Sequence, residues 1–191
     1  MSTLTQISRI NRRLVLLLPI IFLLGACGYH NPNVAPEVRD LPPTRIYAPM
    51  WRNATSEMGL EVQAHNAVSD WLSQSGRIIL VADEEQADYV LSGRINSVRY
   101  PGFAYDPSST ARSLTAVMNA GATLTDRVTG RTVWQDPDLR LEETYNLSES
   151  ISQTDANKHQ ALLQLVDNMA EQVYLRVLRS LSRETPGGVE D

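Results

Sequence analysis

The sequence is poor in the side chains that most often perform chemistry. It contains one cysteine, three histidines and, at position 158, one lysine among 191 residues. A single cysteine excludes a disulfide bond within the chain. His30 lies in a proline-rich stretch, whereas His65 and His159 fall on polar positions of predicted helices. With no glycine-rich phosphate loop and no ligand set at metal-binding spacing, we predict a protein that is not an enzyme and that uses no metal or cofactor.

Positive charge is also scarce. The formal net charge is −5, which argues against nucleic acid as a partner. The exception is the segment 89–135, in which five arginines outnumber two aspartates; the arginines are Arg94, Arg99, Arg112, Arg127 and Arg131. A basic segment in an acidic protein is a candidate site for an anionic partner, although solvated arginines scattered on a sheet would give the same count.

The one cysteine, Cys27, ends the longest apolar run of the sequence. Three arginines precede the apolar residues 14–24, and two small residues separate that run from Cys27. This order is typical of a secretory signal. A membrane-spanning helix needs about 20 apolar residues, so the run is too short to span comfortably.

The segment Leu24-Gly25-Ala26-Cys27 resembles a bacterial lipobox. The resemblance implies that the Cys27 thiol is acylated, that residues 1–26 are removed, and that the new amine is acylated as well. The alternative is an ordinary signal peptide with an incidental cysteine. Several acyl chains would anchor the protein, because each buried CH₂ contributes about 0.8 kcal/mol. Gly28 stands where lipoprotein signals for inner-membrane retention typically carry aspartate, which implies export to the outer membrane.

The remaining chain divides into a tether, one domain and a tail. Residues 27–43 contain four prolines and no apolar periodicity, which predicts an extended tether carrying the lipid. Residues 44–182 are long enough for one domain with its own core. Residues 183–191 are predicted to be a disordered tail.

Apolar spacing within the domain predicts alternating elements. A short strand at 45–48 precedes a helix from Glu57 to Gln74, and a buried strand follows at 78–81. Strands then follow at 89–100, with a bulge near residues 96 and 97, at 114–125, and from 132 onward, where Pro137 interrupts the strand before it resumes at Leu139. Thr154 or Asp155 begins a last long helix.

This order predicts an α+β fold. It is a two-layer sandwich in which two helices pack on one face of a mixed sheet of four to five strands, in the order β-α-β-β-β-β-α. The second sheet face is then wet or faces a partner.

Several segments together resemble the LPS-assembly lipoprotein (LptE) family, over roughly residues 27–181. They are the mature start Cys27-Gly28-Tyr29-His30, the helix opening Gly59-Leu60-Glu61, the strand from Ala87 to Ile95, and the turn from Asp126 to Arg131 before Trp134. The resemblance implies an outer-membrane lipoprotein on the periplasmic side. There it would plug and support assembly of the LptD β-barrel and assist delivery of lipopolysaccharide to the cell surface.

The same strand–helix–strand followed by an "ADYVLSG" strand also occurs in other classes. An LpoB-like activator of a cell-wall synthase, or another envelope-assembly lipoprotein, is therefore the alternative. An activator that works inside the wall usually needs a long disordered reach, whereas the tether predicted here is short, which favours the barrel plug.

Two sets of binding residues are predicted. For lipopolysaccharide phosphates, the candidates are Arg94 and Arg99 on one strand and Arg127 and Arg131 on either side of a tight turn, since arginine donates bidentate hydrogen bonds to phosphate. Solvated side chains or local pairing with Asp126 are the alternative. For the barrel partner, the candidates lie in the polar loop 101–112: Asp106, Ser108, Ser109 and Arg112.

Overall fold

A computed structural model describes residues 43–101 and 113–184. The strands are β1 (Thr44–Tyr47), β2 (Arg52–Asn53), β3 (Ile78–Val81), β4 (Tyr89–Arg99), β5 (Ser113–Asp126) and β6 (Thr132–Asn146). The helices are α1 (Leu60–Ser73) and α2 (Ile151–Glu184), and a 3₁₀ turn lies at Glu84–Gln86.

The strands form one mixed sheet in the order β3-β1-β4-β5-β6. β1 runs parallel to both β3 and β4, and the chain passes from β1 through α1 to β3. β4, β5 and β6 form an antiparallel meander. The two-residue strand β2 continues the line of β1 along β4 and pairs Arg52 with Arg94. The predicted fold class is confirmed, with β2 as an additional strand that apolar spacing did not predict.

Both helices cover one face of the sheet. Alternate residues of the strands point toward them and are fully buried, such as Leu91 and Ile95 on β4 and Met118 and Leu124 on β5. The predicted bulge is confirmed, because the register of β4 against β5 shifts between Ile95 and Ser97. That shift turns Val98 rather than Ser97 toward the core, where it packs against the buried cluster.

Helix α1 begins later than predicted, at Leu60 rather than at Glu57. Gly59 immediately before it has φ +82°, a conformation that suits glycine because it lacks Cβ. The upstream Asn53 does not cap the helix end. Its side-chain nitrogen donates to the Glu57 carbonyl at 2.8 Å and to the Glu61 carboxylate at 2.9 Å, which ties β2 to the start of α1.

The predicted interruption at Pro137 was wrong, since β6 is continuous. Its register against β5 shifts between Ala120 and Ala122, so that Pro137 occupies a bulge. An edge strand tolerates proline there because the missing N–H faces away from the ladder. Gly121 permits this bulge: a Cβ at that position would lie 3.0 Å from the Pro137 carbonyl oxygen.

Helix α2 is longer than predicted at both ends. It begins at Ile151 and continues through Glu184, so it includes Arg183 and Glu184 of the predicted tail. Buried residues repeat along it at three- and four-residue spacing, from Ala161 to Leu181. Among the described residues, neither helix combines the length and the apolar character needed to cross a bilayer.

Candidate functional site

The sheet face opposite the helices is polar. We call it the open face and define it by the outward residues of β4, β5 and β6, such as Ser92, Thr123 and Gln135, which are neighbours in register. Alternation along each strand places these polar side chains opposite the buried ones. In the part of the chain that the structure describes, both helices lie on the other side of the sheet.

Two arginines lie side by side on the open face. Arg52 of β2 and Arg94 of β4 are partners in register, both are exposed, and adjacent strands lie about 4.8 Å apart. Among residues 43–101 and 113–184, no carboxylate forms an ion pair with either guanidinium group. Like charges placed directly across a strand pair repel each other, so this pair is positioned to receive an anion.

A groove of about 530 Å³ contains the Arg52–Arg94 pair. Pro49 and Met50 line it on the side of the β1–β2 connection, and Pro137 lines it on the side of β6. The Asn96 side chain donates to the Pro137 carbonyl at 3.3 Å across the groove. Backbone at Gly121 completes the lining. The groove therefore combines basic donors with apolar contacts.

One carboxylate, Asp136, stands among the described residues that line this groove, and it is already occupied. Its Oδ2 is paired with the guanidinium group of Arg176 on α2, and its Oδ1 accepts the Asp138 backbone N–H at 3.1 Å. The negative charge at this position is therefore matched by a partner other than Arg52 or Arg94.

Arg99 lies on the same strand as Arg94 but farther along it. The five residue steps from Arg94 to Arg99 correspond to about 16 Å of extended chain. Arg99 is exposed and pairs in register with Val117, toward the end of β4 that leads into residues 102–112. It is therefore separated from the groove.

Arg127 lies at the β5–β6 turn, at the opposite end of the sheet. Asp126 accepts the backbone N–H groups of Val128 and Thr129 at 3.0 and 2.8 Å, and Gly130 adopts φ +68°, so the turn is tightly specified. The Arg127 side chain folds back, and its Nε donates to the Ala87 carbonyl at 2.6 Å. This guanidinium group is partly used to join the turn to the start of β4.

Arg131, on the other side of the turn, is paired within the chain. Both of its terminal nitrogens contact the Glu184 carboxylate at the end of α2, one of them at 3.2 Å. Hydrogen bonding from Arg131 lowers the pKa of Glu184, so the carboxylate stays charged beside the guanidinium group. The positive charge of Arg131 is thus largely matched from inside the protein.

The four arginines predicted to bind lipopolysaccharide phosphates are therefore not brought together. Register pairs Tyr89 with Asp126 and Arg99 with Val117, which puts the turn and Arg99 at opposite ends of β4. Arg94 lies between them and its neighbour is Arg52, which sequence reasoning missed. Arg52 lies outside the basic segment, which begins at residue 89. Its parallel pairing with β4 is what identifies it as a neighbour of Arg94.

The other predicted binding residues fall outside the described residues. These are Cys27, predicted to carry the lipid, and the partner-binding candidates Asp106, Ser108, Ser109 and Arg112.

A half-buried polar cluster holds the end of β4 that precedes residues 102–112. The Glu57 Oε1 accepts hydrogen bonds from the Lys158 ammonium and the Tyr100 hydroxyl, each at 2.7 Å, and Lys158 lies 4.5 Å from the centre of the Tyr100 ring. Burial by itself would raise the pKa of Glu57, but these two donors outweigh it and hold the pKa below 4.5. Burial and the Glu57 contact raise the pKa of Tyr100.

Metal chemistry has no visible basis in the described ranges. No three histidine, cysteine, aspartate or glutamate side chains there come close enough together to hold a metal ion.

Comparison with known proteins identifies the family. The LptE family model, described as lipopolysaccharide assembly, matches residues 44–177. No curated protein is significantly similar in sequence. Among solved structures, the chain is similar to a candidate lipoprotein of Caulobacter crescentus, with TM-score 0.51, 15% identity, and coverage of 72% of this chain and 90% of that one. It is also similar to a minor lipoprotein of Acinetobacter baumannii, with TM-score 0.50, 13% identity, and coverage of 75% and 95%. At these identities the structures show a shared fold.

The family match spans most of the chain, and the protein therefore belongs to the LptE family of lipopolysaccharide-assembly lipoproteins, which is not a family of enzymes.

Proposed function

We propose that this protein is anchored through Cys27 to the periplasmic side of the outer membrane. There it plugs and supports an LptD-type β-barrel and assists delivery of lipopolysaccharide to the cell surface. The observation that carries the proposal is the family match over residues 44–177, which takes in the whole sheet, α1, and α2 as far as Val177.

The polarity of the open face supports a position inside a barrel. The interior of a large outer-membrane barrel is polar and wet. A plug therefore needs a polar outer surface, and the open face offers hydroxyl, amide and arginine side chains on four neighbouring strands. The largest apolar residues of the same strands, such as Leu91 and Met118, are already covered by the helices.

Lipidation of Cys27 would supply the membrane attachment. Acyl chains hold a protein at a bilayer in proportion to the CH₂ groups they bury, and more than one chain is needed for a stable anchor. A protein lipidated at residue 27 would need no spanning segment of its own.

Purification from outer membranes through a tag after Asp191 tests the proposal. We expect the intact protein to bring down one barrel of large mass together with lipopolysaccharide. Capture of a cell-wall synthase in place of a barrel would contradict the proposal and would support the activator alternative.

Two variants serve as controls for the anchor. Cys27→Ser should remain uncut or unanchored, because processing and acylation both need the thiol. Gly28→Asp keeps the thiol and should leave a lipidated protein in the inner membrane, where it captures no barrel. Mass spectrometry that finds unmodified Cys27 in the membrane fraction would contradict the anchor.

The loop 101–112 is proposed to contact the barrel, as the sequence predicts. Deleting residues 106–109 should weaken capture of the barrel while the purified protein still unfolds cooperatively. If the deletion abolished folding, the segment would be structural and the proposed contact would be withdrawn.

A further inference from the structure

We infer that the groove around Arg52 and Arg94 is a binding site for a phosphate monoester or diphosphate group. Arg52 is not among the arginines that the sequence singles out, and the groove is separate from the turn that holds Arg127 and Arg131. Only the choice of a lipid as the natural carrier of the phosphate rests on the proposed function.

Two arginines stand side by side in the groove, and neither forms an ion pair within the part of the chain that the structure describes. Arg52 and Arg94 are register neighbours on the open face, so their Cα atoms lie about one strand spacing apart. Placing like charges opposite each other on adjacent strands is unfavourable by itself. A dianionic group between the two guanidinium forks reverses that interaction, because each fork can donate two parallel hydrogen bonds to phosphate oxygens.

The groove is also fixed in shape. Gly121 lacks the Cβ that would lie 3.0 Å from the Pro137 carbonyl oxygen, and the Asn96 side chain donates to that same oxygen at 3.3 Å. The bulge at Pro137 is therefore held against β4 and β5 on one side of the arginines. A site whose wall is held by the backbone loses less conformational entropy when a ligand binds.

The groove combines positive charge with apolar surface. Asp136, the carboxylate among the described lining residues, is paired with Arg176, so the groove keeps the positive charge of both arginines. On the other side, Pro49 and Met50 line the groove, and Met50 is 53% exposed. Apolar surface beside a phosphate site suits a phosphorylated amphiphile better than a bare ion.

The test compares two double variants of the full lipidated protein in detergent. Arg52→Gln with Arg94→Gln removes the pair. Arg77→Gln with Arg179→Gln removes the same charge from arginines that also lack an ion pair in the described ranges but lie outside the groove. The probes are vesicles containing phosphorylated lipid A, vesicles of the same lipid with its phosphates removed, and inorganic pyrophosphate.

We expect the groove variant to bind phosphorylated lipid A at least tenfold more weakly than the unaltered protein, and the control variant to stay within twofold. The unaltered protein should bind the dephosphorylated vesicles only as weakly as the groove variant binds the phosphorylated ones. Equal binding by both double variants, or undiminished binding to dephosphorylated vesicles, would overturn the inference.

Pyrophosphate distinguishes the two sources of phosphate. Competition by pyrophosphate that is lost in the groove variant indicates a site for any phosphate. Phosphate-dependent lipid binding without such competition indicates a site that needs the acyl part as well; both outcomes support a phosphate site.

The barrel capture described above is scored separately. If the protein captures a barrel but the groove variant binds phosphorylated lipid A as well as the unaltered protein does, this inference alone fails. If phosphate binding depends on the groove but no barrel is captured, the proposed function alone fails.

Discussion

The two faces of the sheet differ in whether their charged side chains have partners. On the side of the sheet that the helices cover, partly buried charged groups are paired, as Glu57 is with Lys158. On the open face, Arg52 and Arg94 lie together, and no carboxylate of residues 43–101 or 113–184 forms an ion pair with either. Desolvation explains the first arrangement, because an unpaired charge costs several kcal/mol when it is buried. Water removes that penalty on the open face, so charges can be kept there for a ligand.

The same contrast separates the arginines. Arg127 and Arg131 were predicted to bind phosphate because they lie on either side of a tight turn. Within the protein, however, Arg127 donates to the Ala87 carbonyl and Arg131 is paired with Glu184. A count of charges along the chain therefore identifies a basic segment but not which of its members are free. Pairing partners decide that, and they lie about 40 and 53 residues away.

The largest effect is expected on the covered face, at Gly93. An added Cβ there would clash with the Trp51 indole ring, and Trp51 is 2% exposed. Gly93→Ala should lower the free energy of unfolding by about 1–3 kcal/mol, because overpacking a core forces side chains and backbone to shift. Thermal and urea unfolding measure it. Gly76→Ala is the matched control, since its Cβ meets nothing within 4 Å. Equal stability of the two variants would show that Trp51 moves freely.

The next effect concerns the half-buried pair of Lys158 and Glu57, whose side chains are 32% and 22% exposed. Lys158→Met should lower the free energy of unfolding by about 1 kcal/mol, less than a fully buried charge would cost because water still reaches both groups. Arg140→Met breaks the exposed pair with Glu142 and should change it by less than about 0.5 kcal/mol. If both variants were equally stable, the covered and exposed pairs would not differ as argued.

The pH dependence of that variant follows from Glu57. Its folded pKa lies below 4.5, so the stability that it contributes is present above about pH 4.5 and is lost as the pH falls through the lower folded value. The deficit of Lys158→Met should therefore be complete at pH 7 and should shrink as the pH falls through the folded pKa of Glu57, because Glu57 then becomes neutral in both proteins. Urea unfolding at a series of pH values measures it, and a deficit that grew in acid would contradict this assignment.

Much of the fold could be predicted from the sequence because its elements are long and periodic. Apolar residues at helical spacing predicted both helices, and strict alternation predicted β5 and the buried face of the sheet. Other features depend on distant pairing and have no local pattern. β2 is two residues long and exists because β4 lies beside it. Pro137 resembles a break in the sequence, but β6 is an edge strand and absorbs the proline in a bulge opposite Gly121.

The candidate site was less predictable. Residue type and charge pointed to Arg94, which lies in the groove, but equally to Arg131, whose partner Glu184 was predicted to lie in a disordered tail. Arg52 could not be recognised without the register that pairs it with Arg94. Spacing along the chain predicts which face a side chain occupies, whereas neighbours on other strands and helices decide whether its charge is free.

A smaller, local effect is expected at the turn. Arg131→Gln removes the contact that holds the last residue of α2, Glu184, and should increase hydrogen exchange of the final helical turn. Because both side chains are exposed, the midpoint of global unfolding should hardly move. Arg183→Gln, next to Glu184 but without an ion pair among the described residues, is the control. Unchanged exchange in Arg131→Gln would mean that the pair does not order the helix end in solution.

The smallest effect, and the one of opposite sign, belongs to the open face. Arg52→Gln relieves the repulsion between neighbouring guanidinium groups, so the protein without ligand should be as stable as before or more stable by a few tenths of a kcal/mol. The gain should disappear at high salt, which screens exposed charges, and Arg77→Gln should show no such gain. Adding a phosphate ligand that binds in the groove should make the unaltered protein the more stable of the two, because a ligand stabilises only the protein that binds it. Thermal unfolding with and without ligand measures both signs. A loss of stability in the ligand-free Arg52→Gln variant would mean that Arg52 supports the fold, and the contrast between a face that stabilises and a face that binds would fail at this residue.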